Sequence, residues 1–199
     1  MSTPASNCQP AAFIPPWPLL SMQGAAQVKD ASVPVACLAT LEGEAQKSCK
    51  SYTDMSNYLG AAGGLILAGA GIAYGELKKA KPELAADIWA LCGTLYGLIQ
   101  GVNQELLVAI DDLNKGKKYE PIETASSLPA FPPAPASGSE AAAAIQGVWT
   151  TVESVLKIVL SKVQLNDTLR IVLTGMIKNG DQAFQSLVPL LEKAFGKKA

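Results

Sequence analysis

The sequence predicts an all-α protein organised around a long antiparallel helix hairpin, and three observations predict it. Apolar residues recur at spacings of three and four over most of the chain after Ala36. No alternating apolar/polar run is long enough to make a strand. Glycine and alanine fall on two strips that mirror each other about a lysine- and proline-containing turn.

The chain opens with an arm, residues 1–35, whose stretch from Met1 to Val28 has no charged side chain. Phe13, Ile14, Trp17, Leu19 and Leu20 are threaded between Pro15, Pro16 and Pro18, so the arm reads as extended. Such bulky apolar side chains suit a segment that docks on its own bundle or on a neighbour. The arm does not resemble a signal peptide: a basic lead is missing and prolines interrupt its apolar run.

Leu38, Leu41, Ala45, Cys49, Tyr52, Met55 and Leu59 then mark one apolar stripe, with Glu42, Glu44, Lys47, Lys50 and Asp54 mostly on the other face. No proline interrupts the pattern, and one helix from about Ala36 to Lys79 is expected. The hairpin itself is expected from Leu59 to Asn103, within a unit covering 36–119.

Its first arm carries Gly60, Gly64, Ala68, Gly71 and Gly75 on a strip about 80° wide. The second carries Ala86, Ala90, Gly93, Gly97 and Gly101, a tandem small-xxx-small pattern. Antiparallel pairing sets Gly60 against Gly101, Gly64 against Gly97, Ala68 against Gly93, Gly71 against Ala90, and Gly75 against Ala86. The mirror lies between Ala80 and Lys81, where Lys78, Lys79, Lys81 and Pro82 make the turn. Pro82 suits the first position of a helix, and Glu83 its positive end. Glycine costs about 1 kcal/mol relative to alanine inside a helix. Close backbone approach along a shared seam is the expected compensation.

Residues 120–138 read as a proline-rich linker, and 139–199 as a C-terminal unit of about three helices. Ser139 is the expected cap of the first, which carries Ile145, Val148, Trp149, Val152, Leu156 and Val159 on one face. Asn166 or Asp167 caps the second, better than it serves as a glycosylation sequon. Gly180 is expected to end that helix and Asp181 to start a third, which Pro189 should kink or split.

Composition excludes several function classes. Net charge is −1, which gives no electrostatic case for nucleic acid. The chain has 0 histidines, which removes the commonest general base and metal ligand. The four cysteines, at 8, 37, 49 and 92, lack a C-x-x-C pair and read as small buried hydrophobes. If Cys37 and Cys49 shared one helix, they would lie about 18 Å apart along its axis, too far to bridge. Gly69, Gly71 and Gly75 follow an apolar run, but G-x-G-x-x-x-G is not the dinucleotide spacing. Asp111 and Asp112 point about 100° apart on a helix and form no carboxylate pair. No catalytic, cofactor or metal residue is assigned, and the chain reads as non-enzymatic.

Charged residues make up 17%, against about 25% in ordinary soluble domains, and mean hydropathy is +0.21. From Leu59 to Gly75 nothing is charged, but 17 residues cover only about 25 Å of a hydrocarbon core of about 30 Å. Tyr58 and Tyr74 sit where interface aromatics would lie. The leading expectation is a membrane-associated or membrane-inserting structural component acting through the hairpin. The alternative is a soluble scaffold subunit whose hairpin is buried in protein. Self-association or a protein assembly is the expected partnership, with the bilayer as a further partner. Membrane association is narrowly favoured over the cytoplasm.

Overall fold

The computed structural model describes residues 41–122, 128–163 and 165–196. Among these are four α-helices and no strand: α1 (Glu44–Leu77), α2 (Pro82–Asn114), α3 (Gly138–Lys162) and α4 (Asp167–Phe195). The arm 1–35, with Phe13, Ile14, Trp17, Leu19 and Leu20, lies outside the described residues. So do Ala36 to Thr40 of the expected first helix.

The helix boundaries follow local chemistry. α1 starts after Gly43, whose φ of 58° breaks the helix towards its N-terminus. Lys78 and Lys81 amides bond back to Tyr74 and Leu77 carbonyls in the turn, and Pro82 opens α2 at its first position as expected. α3 is capped by Ser137 rather than Ser139: Ser137 Oγ accepts from the Glu140 amide at 3.3 Å. Glu140 Oε2 reaches back to accept from the Ala136 amide at 2.8 Å, close to a capping box. Asn166 Oδ1 caps α4, accepting from Leu169 N at 2.8 Å.

Each helix packs mainly against two neighbours, in the cyclic order α1, α2, α4, α3, with a smaller diagonal contact between α2 and α3. All adjacent pairs are antiparallel. Glu76 at the end of α1 meets Gly138 at the start of α3. Leu98 and Gly101 of α2 face Gly180 and Met176 of α4, respectively. The result is a four-helix bundle with one long crossover between α2 and α3. A single apolar cluster runs through all four helices, with Trp149, Leu59, Ile66, Ile88, Leu95 and Ile99 almost fully buried. Each such side chain gives about 1.5–3 kcal/mol on burial. The segment expected to link two units therefore connects two hairpins that share one core.

The crossover is fastened along α1 from end to end. Near the start of α1, Ser48 Oγ donates to the Tyr119 carbonyl at 2.8 Å, and Ser51 Oγ accepts from the Ile122 amide at 3.0 Å. Tyr119 packs edge-on against Tyr52, and its hydroxyl donates to Asp112 Oδ2 at 2.9 Å. Midway, Phe131 lies 4.5 Å from the Tyr58 ring, centroid to centroid. At the far end, Glu76 Oε1 accepts from Gly138 N at 2.8 Å, a carboxylate on the positive end of α3. From Ser48 to Glu76, α1 climbs about 42 Å. Tyr119 to Gly138 must match that at about 2.2 Å per residue, more than a helix supplies. The prolines keep the strand extended.

Two expectations for the C-terminal unit are corrected. It has two helices, not three, and Gly180 and Asp181 lie inside α4. Among the described residues, positive φ occurs only at Gly43, Gly116 and Gly196, so Gly180 does not terminate a helix. It serves close approach instead: a Cβ there would sit 3.1 Å from Trp149 and 3.2 Å from Leu98. Pro189 does not split the helix, which runs on to Phe195. Pro189 and Gln185 are exposed, so water can serve the Gln185 carbonyl that proline leaves without its helical donor.

Gly180→Leu should therefore destabilise the bundle by about 1–3 kcal/mol through overpacking, read as a lower urea midpoint with unchanged m-value.

Candidate interaction surfaces

The ten residues expected to form the seam of the hairpin do not form it. Ala68, Gly71, Gly75, Ala86, Ala90 and Gly97 are exposed, and Gly60, Gly64, Gly93 and Gly101 are half-buried. A Cβ added at Gly60, Gly75, Gly93 or Gly97 would meet nothing within 4 Å. One at Gly71 would only touch the edge of Trp89, and one at Gly101 would meet Met176 of α4. The two strips lie on the outer surface of the hairpin, beside one another rather than between the helices.

The antiparallel pairing survives this correction. Tyr74 packs on Trp89 at 5.8 Å. A Cβ at Gly63 would lie 3.2 Å from both Tyr96 and Gln100, which straddle the position the mirror assigns to it. Close approach between helices uses glycines of another phase: Gly63 towards α2, Gly69 towards Ile145 of α3, and Gly180 of α4. The first two were within reach of sequence reasoning. The stripe of Cys49, Tyr52, Met55 and Leu59 continues in step through Ala62, Ile66, Ala70, Ala73 and Leu77, all buried. That continuity sets the inner face of α1 and pushes the glycine strip outwards. Burying isoleucine and leucine removes far more apolar area from water than burying glycine does, so the bulky face goes inside.

The outer hairpin face is unusual in what it lacks. From Gly60 to Gly75 on α1 no side chain is charged, and between Ala86 and Gly101 on α2 only Asp87 is. The outer faces of α3 and α4 instead carry charge, including an ion pair between Lys157 and Glu153, and exposed Lys178 and Lys193. Large apolar side chains are not what this stretch of the hairpin, 60–101, exposes. Among the described residues the exposed ones are Val108, Ile171 and Val172, nearer the other end of the bundle.

A second surface lies between the crossover and α3. Pro132 and Pro133 form one wall of an open groove of about 450 Å³, Ala143, Gly147 and Thr151 form the other, and Tyr58 lies at its base. Small α3 side chains leave it unfilled: a Cβ at Gly147 would meet nothing within 4 Å. Burial pushes the Tyr58 phenol above its ordinary range, and its hydrogen bond with Thr151 pulls the other way. Tyr58, packed beneath Phe131, is thus part of the interior and not an interface aromatic.

Little in the titratable groups points to catalysis. Among the described residues no group of three or more His, Cys, Asp or Glu converges to hold a metal. Asp112 is held below the usual carboxylate range by hydrogen bonds from Lys117 and Tyr119, and Lys115 pairs with Asp111, so the two neighbours face separate partners. Asp181 is raised by burial and by the nearby Glu153 carboxylate. Cys92 is a buried free thiol, as expected, whose burial pushes its pKa up to about 12. Cys49 departs from the expectation of four plain hydrophobes, because it is disulfide-bonded. Its partner is outside the described residues. No protein-family model, curated protein or solved structure matches the chain.

Two outcomes follow from these placements. Gly97→Ala should raise stability by up to about 1 kcal/mol in urea unfolding, because the helix gains propensity and nothing clashes. Cys92 stays a protonated thiol at pH 8, so iodoacetamide should label it only when urea unfolds the chain.

Proposed function

We propose that this chain is a non-enzymatic helical assembly component that uses the outer face of its α1–α2 hairpin to pack against helices of a second copy or another protein. The observation carrying this reading is that Gly60, Gly75, Gly93 and Gly97, exposed or half-buried on one side of the hairpin, stand within helices with nothing near a Cβ position. Such glycines cost up to about 1 kcal/mol each in helix propensity, most where they lie in a helix interior. Nothing within the bundle gains from their missing side chains. A partner helix does gain: small-xxx-small strips let backbones approach closely and add dispersion and weak Cα–H···O contacts. The near absence of charge on that face also keeps the desolvation cost of docking low.

A second reading places the same contact in a bilayer-linked assembly. Its support is that α1 and α3 are each long and apolar enough, by length and composition, to cross a membrane. The outer hairpin face argues for protein rather than lipid as the immediate neighbour. A lipid-facing surface is rich in leucine, isoleucine and phenylalanine, whereas the hairpin buries Ile66, Ile88, Leu95 and Ile99 and presents glycine and alanine.

Light scattering after size exclusion, together with carbonate-washed membrane fractionation, tests both readings. Wild-type protein should run as an oligomer or co-fractionate with a partner. Gly93→Leu/Gly97→Leu should abolish that association while the unfolding free energy from urea titration stays within about 1 kcal/mol of wild type. A monodisperse wild-type monomer that neither pairs nor pellets would defeat the proposal. Retention in carbonate-washed membranes would favour the bilayer-linked form.

A further inference from the structure

We infer that the groove between the crossover and α3 is the seat of the chain's own N-terminal arm, with Trp17 as the anchoring side chain. Four observations support this occupant. The groove is concave, apolar and about 450 Å³, enough for an indole and a neighbouring aliphatic side chain. Its prolines present flat ring faces, and aromatic side chains combine large apolar area with few torsions to freeze.

The arm has the matching character. Phe13, Ile14, Trp17, Leu19 and Leu20 are its bulky side chains, and no charge occurs before Lys29. Pro15, Pro16 and Pro18 pre-set an extended backbone, which lowers the entropy lost on docking. The groove rim offers one carboxylate, Glu140, already accepting from the Ala136 amide. An uncharged arm sets no like charge against that carboxylate.

Reach is the third observation. The described chain resumes at Leu41, next to the start of α1. Tyr58 lies about 21 Å further along α1, and the level of Ala143, opposite Gly69, about 38 Å. The 20 residues from Ser21 to Thr40 span up to about 60 Å when extended. The arm reaches the groove with slack.

The fourth is the emptiness of the α3 wall. Ala143 and Gly147 face a cleft that the crossover does not fill. The hairpin's outer face lies on another side of α1 from Tyr58, so arm docking and hairpin assembly occupy different surfaces.

The test uses the full chain with benzoylphenylalanine in place of Trp17. After irradiation, crosslinks should map by mass spectrometry within one chain, to 129–135 or 143–151. Crosslinks to 60–101, crosslinks between chains, or none at all would each overturn the inference. A second measurement is independent of that label. Gly147→Trp fills the groove from a position with open space around its Cβ. It should accelerate chymotryptic cleavage after Leu20 by about tenfold, as the undocked arm becomes populated, with the helical circular dichroism signal unchanged. Equal cleavage rates in the two proteins would refute the assignment.

Discussion

The bundle is governed by one constraint of connectivity: α2 ends beside the start of α1, while α3 begins beside its end. The chain between them must climb the length of α1 in fewer residues than a helix needs. Ser48 and Ser51 hold its beginning, Tyr58 its middle and Glu76 its end. Proline is the residue that keeps such a strand stretched without demanding backbone partners. The topology follows, since α3 must then run antiparallel to α1 and α4 must return beside α2. The open groove follows too, because an extended proline strand cannot fill the space over the small residues of α3.

Glycine plays two opposed parts in this fold. Gly63, Gly69 and Gly180 sit where neighbouring helices or the Trp149 ring would meet a Cβ within 3.2 Å. Their cost in helix propensity is offset inside the molecule. Gly60, Gly75, Gly93 and Gly97 have no such neighbour, and their cost is offset only if something approaches from outside. This division links packing energetics to the proposed assembly role. It also separates the two surfaces: a nearly uncharged hairpin face proposed for helices, and a proline-walled groove proposed for the arm.

Much of the architecture was legible in the residues. Helical periodicity identified the helical regions while dividing α4 in two, Pro82 and Asn166 marked helix starts, and the mirror gave the antiparallel pairing of α1 with α2. The misreadings share a cause. Gly180 resembles a helix terminator until Trp149 is found against it, and the proline-rich segment expected as a linker reads as one until α1 is found beside Ile122, Phe131 and Gly138. In both cases a local signal is ambiguous, and a residue distant in the chain decides its meaning.

The hairpin shows the same division most clearly. By itself the sequence determined that two glycine and alanine strips exist, that each occupies one side of a helix, and that antiparallel pairing aligns them. These are properties of spacing and of the α-helical repeat. Only the tertiary structure decided which way the strips face. With α3 and α4 present, Ile66, Ile88, Leu95 and Ile99 find a core, and burying them outweighs glycine-to-glycine contact. The strips turn outwards because the rest of the chain supplies a better neighbour for the bulky face.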